Sequence, residues 1–272
     1  MASQLVHLPE VERLSPACIR ILAGNPGKFQ LQGTNTYLVG TGPERLLIDT
    51  GEGKPSWQLA LKRVLEEEKA TVQSALLTHW HPDHTQGVPQ LLQLAPDGQV
   101  FEVEGATLTA VYTPGHTTDH MAFVLGEEDA LFTGDNVLGH GTAVFEDLGI
   151  YLRSLAKMEK LVSGRAYPGH GPVLPEAPAK IAEYISHRHQ RELQVIETLG
   201  SAKDASSASG DAEAASAWTP MELVKVIYRD VPEELHIPAS YGVVLILKKL
   251  LAEDKVVPEQ GDRWRLKERP NL

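Results

Sequence analysis

The sequence predicts a layered α/β protein, and two observations support that prediction. Apolar runs of strand composition alternate along the first 200 residues with amphipathic segments of helical period. Several strand-like runs end in glycine-flanked histidines and aspartates, and layered α/β enzymes commonly carry functional loops at strand ends. The 272 residues are 42% hydrophobic, enough for one substantial core or for a core with a small second domain.

The N-terminal part begins with strands and a helix. Residues 34–51 predict a hairpin, because TYLV and LLID are β-prone and the segment GTGPE between them supplies turn residues. Residues 54–68 predict a helix. Its apolar residues at near-helical spacing are Trp57, Leu59, Leu61, Val64 and Leu65. VQSALLTH then predicts a strand that ends at histidines, and GVPQLLQLAP predicts a short helix behind them.

Further strands and helices complete the main domain. TLTAVYTPGH, HMAFVLGEE and DALFTGDNV each predict a strand that closes in a turn. Residues 149–162 and 177–200 predict helices, and the second of them is long and amphipathic.

Composition suggests a boundary near residue 200. Residues 201–217 contain Ser, Ala, Gly and acids apart from one lysine, and therefore predict a flexible loop. We expect a main domain at 1–200 and a C-terminal domain at 218–272, in which two helices and a hairpin give a winged-helix-like outline. Such an outline also serves as a packing or lid module, so it does not by itself indicate DNA binding.

Charge and composition limit the plausible partners. The net charge is −11, and residues 1–216 carry all of the excess, with 27 acidic against 16 basic residues. This distribution argues against broad nucleic-acid binding, which depends on clustered Lys and Arg. No apolar run approaches membrane-spanning length and the first residues lack the composition of a leader, so we expect a cytosolic protein that does not enter a membrane. Cys18, the single cysteine, is expected in the core.

Four ligand-type residues lie within six positions directly behind an apolar run: His79, His81, Asp83 and His84. Imidazole and carboxylate are the ligands expected for zinc, and ligands one residue apart on a turn can converge on one ion. His79 and His81 fit one ion in this way. Asp83 and His84 would fit a second ion a few ångströms away.

Three later turns offer the missing ligands. His116, Asp135 and His170 each follow an apolar run and lie beside a glycine, which allows a sharp turn at the strand end. The simplest assignment gives His79, His81 and His116 to one metal, Asp83, His84 and His170 to the other, and Asp135 to both as a bridge.

The run H-x-H-x-D-H, followed by Gly-His, Gly-Asp and Pro-Gly-His, resembles the metallo-β-lactamase superfamily over most of residues 20–200. The resemblance implies an αββα sandwich with the site at one edge of the sheets and the ligands as assigned. It also implies hydrolysis with two zinc ions, because family members use metal-activated water against carbonyl or phosphoryl centres. Asp83 is expected to be both a ligand and the catalytic residue that orients the nucleophile.

Further stretches resemble a lactamase-like subgroup that keeps a winged-helix-like tail. FQLQGTNTYLVGTG and MELVKVIYRDVPEELH are similar to the subgroup as a whole. DTGEGKPSW and NVLGHGTAVFEDL are more similar to its fungal thioesterases, which release polyketides from the acyl carrier protein of synthases lacking a thioesterase. This resemblance implies a thioesterase of secondary metabolism with an acyl carrier protein as partner. The alternatives are the subgroup's animal mitochondrial endoribonuclease branch, which acts on single-stranded RNA, and a non-catalytic binding protein.

Four other residues are candidates for contacts behind the ligands or with substrate: Asp119, His120, His140 and Asn35. Asp119 and His120 are candidates for orienting the ligands. His140 could face the substrate or bond nearby backbone, and Asn35 could approach the site or organise the hairpin turn. The segment between His84 and His116 is short for the family, and we expect this difference to affect the substrate-facing wall.

Overall fold

The computed structural model describes residues 5–88, 102–201 and 217–267. Over these ranges the chain forms two five-stranded sheets, a two-stranded hairpin and six α-helices. Its contacts divide it into two compact units, Met1–Glu146 with Ile150–Tyr184 and Asp147–Gly149 with Ile185–Leu272. The expected domain boundaries at 200 and 217 remain a prediction. Most of the expected flexible loop, like most of the helix expected in GVPQLLQLAP, lies outside the described residues.

The first sheet contains five strands in sequence order. They are β1 (Val11–Ser15), β2 (Cys18–Leu22), β3 (Asn35–Val39), β4 (Glu44–Ile48) and β5 (Thr71–Leu76). The first four are antiparallel and β5 is parallel to β4, because α1 (Pro55–Glu68) crosses between them. The hairpin predicted over 34–51 is confirmed as β3 and β4. The sequence interpretation did not include β1 or β2.

The second sheet has the strand order β10-β9-β8-β7-β6. Its strands are β6 (Glu102–Val103), β7 (Ala106–Tyr112), β8 (Met121–Leu125), β9 (Ala130–Gly134) and β10 (Ala166–Pro168). Its order mirrors that of the first sheet, with antiparallel pairs followed by one parallel pair, β9 with β10. The remaining helices of this region are α2 (Pro82–Thr85), α3 (Leu148–Met158) and α4 (Ala177–Gly200).

The core between the two sheets is formed by alternate side chains of their strands. Tyr37 and Ile48, which are register partners on β3 and β4, belong to one buried cluster with Phe132 and Tyr167 of the second sheet. The ring of Tyr37 lies 5.2 Å from that of Phe132, and Phe132 lies 5.0 Å from Tyr167. These contacts pack the sheets face to face.

The other face of the first sheet is covered by α1. Leu38 and Leu47, the register pair next to Tyr37 and Ile48, pack with Trp57 and Leu61 of the helix. Trp57 is fully buried, and its indole N–H donates to the hydroxyl of Thr36 at 2.9 Å. The predicted two-sheet sandwich with helical cover is therefore confirmed. The helix predicted over 54–68 is confirmed as α1, and Leu59 on it has a side chain that is 68% exposed.

The C-terminal unit contains the predicted helix, helix and hairpin. They are α5 (Pro220–Ile227), α6 (His236–Ala252), β11 (Val256–Glu259) and β12 (Arg263–Leu266). Thr219 and Glu222 form a capping box at the start of α5, and Gly261 and Asp262 both have positive φ in the hairpin turn.

One described helical segment, Glu233–Ala252, is long and apolar enough by length and composition to cross a membrane. Four of its side chains are buried: Val243, Ile246, Leu247 and Leu250. We therefore assign it to the core of the C-terminal unit.

Leu61 and Leu59 provide a test of the α1 packing. Leu61→Ala removes a fully buried side chain, so we expect a loss of about 2–5 kcal/mol in the free energy of unfolding. Leu59→Ala on the same helix should change it by less than about 0.5 kcal/mol, because that side chain is exposed. Urea titrations of the two variants measure both values, and equal losses would contradict the orientation of α1.

Candidate metal centre

The seven predicted ligands all follow the C-terminal ends of strands. β5 leads to His79, His81, Asp83 and His84, β7 leads to His116, β9 leads to Asp135, and β10 leads to His170. Because β5 and β10 are each parallel to a neighbouring strand, their ends meet the ends of β4 and β9 at the same edge of their sheets. The structure brings six of the seven side chains together as two adjacent groups of three and places Asp135 beside them, within 4.8 Å of the donors of the first group.

The first group consists of three imidazoles. His81 Nδ1 lies 3.0 Å from His79 Nε2 and 3.0 Å from His116 Nε2. His116 Nδ1 donates to the carbonyl of Val144 at 2.8 Å, which leaves Nε2 without a proton and directed at the group. The three nitrogens therefore converge on one point.

The second group consists of Asp83, His84 and His170. His170 Nε2 lies 3.3 Å from Asp83 Oδ2 and 3.4 Å from His84 Nε2, while His84 Nε2 and Asp83 Oδ2 are 3.7 Å apart. His84 and His170 are buried and Asp83 is partly buried.

Asp135 lies between the two groups. Its Oδ2 is 3.2 Å from His170 Nε2 and 3.7 Å from His116 Nε2, and its Oδ1 is 3.5 Å from His84 Nε2. One carboxylate thus faces nitrogens of both groups, as a bridge requires. Gly169 allows this approach, because a Cβ there would lie 2.3 Å from Asp135 Oδ1.

Asp49 is a site residue that the sequence interpretation missed. It follows β4 with a φ of 57°, and its Oδ2 accepts from His84 Nδ1 at 2.7 Å. The same carboxylate accepts from the backbone N–H and the hydroxyl of Thr78. Since the Thr78 hydroxyl gives its proton to Asp49, it accepts from His79 Nδ1 at 2.9 Å. Asp49 therefore orients one histidine of each group. The signal was present, because Asp49 is also a polar residue at a strand end.

His120 lies behind the first group, and its predicted role as an orienting residue stays a prediction. Its ring is 5.5 Å from that of His79. The Asn136 amide is held by Thr113 O and the His116 backbone N–H, and it donates to His120 Nδ1 at 3.1 Å. His120 therefore carries its proton on Nε2, which points at Gly134, where a Cβ would lie 2.6 Å away. His120 packs behind the donors and is absent from both ligand groups.

The other predicted candidates occupy different positions. Asn35 is buried, and its amide donates to the carbonyls of Pro168 and Gly171, which holds the turn that carries His170. His140 lines the cavity in front of the groups. Asp119 is exposed, accepts from the Thr117 hydroxyl and is absent from both ligand groups.

The pKa shifts at the site show that its carboxylates are ionised and favour positive charge beside them. Burial and the neighbouring His84 place the pKa of His79 far below its ordinary value, so its imidazole is neutral. Burial raises the pKa of Asp83, but the hydrogen bond and charge of His170 and the charge of His84 reverse this and lower it to about 2. Burial lowers the pKa of His170, but Asp135 and Asp83 outweigh it and raise it to about 10. The carboxylates thus draw positive charge to the place where a cation would bind.

The donor spacing also fits metal ions. Two nitrogens bound to one tetrahedral zinc at about 2.0–2.1 Å lie roughly 3.3 Å apart, close to the 3.0 Å and 3.4 Å found between imidazole nitrogens here. Asp135 Oδ1 is buried and has no hydrogen-bond partner among the described residues. A buried carboxylate oxygen in that position is satisfied by a cation.

A cavity of about 410 Å³ opens onto both groups. Its wall is formed by two loops, residues 28–31 and 138–144, which meet the ligand side chains. Tyr184 fixes the second loop, since its hydroxyl donates to Gly141 O at 2.8 Å and accepts from the Leu138 N–H at 3.1 Å. The site can therefore hold a substrate against the metal ligands.

Two adjacent clusters of histidine and aspartate side chains lie at the edge of a two-sheet sandwich. This arrangement defines the protein as a metal-dependent hydrolase. The chain belongs to the metallo-beta-lactamase superfamily, whose sequence model matches residues 30–100 and 94–170. The model described as the beta-lactamase associated winged helix domain matches residues 219–264. The predicted family and the winged-helix-like tail are thereby confirmed.

Similar fungal proteins cover nearly the whole chain. The lactamase-like protein adaB of Aspergillus niger is 46% identical over 96% of this chain and 90% of its own length. The atrochrysone carboxyl ACP thioesterase of Aspergillus chevalieri is 46% identical over 96% of this chain and 91% of its own length. The protein of the same name from Aspergillus fumigatus is 44% identical over 94% of this chain and 87% of its length.

Solved structures show the same fold. A beta-lactamase domain protein from Burkholderia ambifaria superimposes with a TM-score of 0.74 at 17% identity, over 98% of this chain and 96% of its own. A metallo-beta-lactamase family protein from Thermus thermophilus gives a TM-score of 0.68 at 21% identity, over 94% of this chain and 100% of its own.

Asp49→Asn tests the orienting network. The substitution preserves size but removes the charge that holds His84, so we expect metal affinity to fall about 10–100-fold. Competition with a chromophoric chelator measures this affinity. Asp119→Asn is the matched control and should bind metal like the parent protein, because Asp119 is exposed and contacts Thr117. Unchanged affinity in Asp49→Asn would contradict the role of Asp49.

Proposed function

We propose that the protein is a dinuclear zinc thioesterase that releases an acyl chain from an acyl carrier protein in polyketide biosynthesis. In this reaction water and the carrier-bound thioester yield a free carboxylic acid and the carrier thiol. The observation that carries the proposal is the position of Asp135, whose two oxygens face both ligand groups. A bridging carboxylate is what a two-metal hydrolase needs.

Residues of the two groups would hold the ions. His79, His81 and His116 would bind one ion, Asp83, His84 and His170 the other, and Asp135 both. Imidazole with carboxylate is a donor set typical of zinc. Bound zinc would supply Lewis-acid polarisation of the thioester carbonyl and would lower the pKa of a coordinated water towards neutrality.

We assign to Asp83 the role of orienting the attacking water. The Thr34 hydroxyl donates to Asp83 Oδ2 at 3.0 Å, and Asn25 fixes Thr34 by bonding both its hydroxyl and its backbone N–H. With a pKa of about 2, the Asp83 carboxyl is ionised at neutral pH and can accept a hydrogen bond from the attacking water. Fixing that bond orients a lone pair of the water oxygen towards the substrate carbonyl.

The cavity wall supports an apolar acyl group. Its apolar lining residues include Phe29, Leu31, Leu138, Ala143 and Val144. Phe29 is 69% exposed and Val144 is 62% exposed, so both offer apolar surface that a substrate can cover. Lys28 and His140 are polar members of the same wall and can bond oxygens of the acyl chain.

The relatives support the same substrate class. Two fungal proteins, 46% and 44% identical to this chain, are named atrochrysone carboxyl ACP thioesterases. We extend the thioesterase activity and the carrier-protein partner to this chain, and we expect the protein to act in the cytosol. The particular acyl chain is left to experiment.

The test combines a metal count with two substrates. We expect the purified, zinc-loaded protein to hold about two zinc ions per chain and to hydrolyse a polyketide thioester of an acyl carrier protein. His79→Ala/His81→Ala should lower turnover more than about 100-fold, because ligands contribute more than the groups that orient them. His189→Ala, at an exposed histidine of α4, should retain both zinc and turnover.

Two outcomes would overturn the proposal. One is a zinc-loaded protein that hydrolyses no carrier-bound thioester. The other is metal-dependent cleavage of single-stranded RNA without thioester turnover, which would instead assign the site to phosphodiester hydrolysis.

A further inference from the structure

One surface of α3 is basic in an otherwise acidic protein. Arg153, Lys157 and Lys160 are exposed and follow each other at i, i+4 and i+7, which places them on one side of the helix and the turn that ends it. We call these three residues the basic face of α3. Ala156 is exposed on the same side of the helix, and its small side chain lies among the three charged ones.

These cations are available to a partner. Among the described residues, no carboxylate oxygen lies within 4.0 Å of the charged nitrogens of the basic face. Over residues 153–165 the chain carries four basic residues and one acidic residue, whereas the whole chain has a net charge of −11. An anionic partner is therefore attracted to this place and repelled by most of the remaining surface.

The basic face is joined directly to the loop that carries His116. Lys157 Nζ donates to Tyr112 O at 2.9 Å, and the Ser154 hydroxyl donates to Pro114 O at 2.6 Å. Gly115 packs against the backbone of Tyr151, where a Cβ would lie 2.5 Å from the Tyr151 Cα. A partner bound to this face is thus held beside the loop of a predicted metal ligand.

We propose that the basic face of α3 is the docking site for an acidic helix of the acyl carrier protein. The inference rests on the proposed function, which supplies the partner. Arg153 and Lys160 are separated by about 10 Å along the helix, a length that fits one face of a partner helix. A long polyanion such as RNA fits less well, because it would extend beyond three cations onto acidic surface.

The test compares hydrolysis of the same acyl group from two thioesters, one on the acyl carrier protein and one on the small thiol N-acetylcysteamine. Arg153→Glu/Lys160→Glu should raise KM for the carrier-bound thioester about 10-fold or more, with kcat within about 2-fold. Turnover of the same acyl group on N-acetylcysteamine should not change, since that thiol carries no protein. Added salt should raise KM for the carrier substrate in the parent protein and have much less effect in the variant.

Controls separate docking from folding and from general charge. Lys62→Glu/Arg63→Glu on α1 makes the same change in net charge at exposed positions and should leave both substrates unaffected. Arg153→Gln/Lys160→Gln should give a smaller KM increase in the same direction. Thermal unfolding checks that each variant is folded.

Several results would overturn the docking site. Equal losses on both thioesters would show a structural or catalytic effect, and an unchanged KM for the carrier would show docking elsewhere. Loss of RNA binding with an unchanged KM for the carrier would assign the basic face to nucleic acid. If the parent protein hydrolyses the small thioester and ignores the carrier, the docking proposal fails while thioester hydrolysis stands. If it hydrolyses neither, the proposed function fails as well.

Discussion

The burial of Asp135 among imidazole nitrogens is the constraint on which the rest of the site depends. A buried carboxylate is tolerated when positive charge faces it, and His84, His116 and His170 all place a nitrogen within 3.7 Å of its oxygens. Burial alone would lower the pKa values of His84 and His170, but Asp49 and then Asp135 raise that of His84, and Asp135 and Asp83 raise that of His170, so both imidazoles attract protons. Bound cations would satisfy the same carboxylate without protonating its neighbours. The fold therefore holds in place a set of donors that ion binding completes.

Side chains from β3 and from the end of β4 hold those donors in place. Asp49 at the end of β4 fixes His84 directly and His79 through Thr78. Asn35 at the start of β3 plays the corresponding part for the turn of His170, with two hydrogen bonds to its carbonyls. These two ligand loops are thus bonded to β3 and to the end of β4, and the bonds of Asn35 cross from the first sheet to a turn of the second, so the position of His170 depends on the packing of both sheets.

The sequence allowed the clustered histidines and aspartates to be predicted because their signals are local. His116, Asp135 and His170 each end an apolar run next to glycine, and His79 to His84 lie within six residues. The supporting contacts could not be predicted in this way, since Asp49 and His84 are 35 residues apart and meet through the parallel pairing of β4 and β5. Asp49 follows a strand as the predicted ligands do, but it lies within a predicted hairpin. Helical spacing likewise predicted apolar positions on α1 without showing that Leu59 faces solvent.

Ion pairs within the winged-helix domain argue against a role for it in nucleic-acid binding. Its cations are largely paired within the C-terminal unit: Lys249 with Glu192 and Glu253, Lys267 with Asp254, and Arg265 with Glu259. A phosphate backbone would have to displace these carboxylates to reach these three cations, and the unit's formal charges already balance over residues 217–272. The basic face of α3, by contrast, has cations without carboxylate neighbours among the described residues. Neither the net charge of the protein nor the shape of its C-terminal domain predicts where an anionic partner would bind. The useful criterion is whether each cation already has a carboxylate partner within the protein.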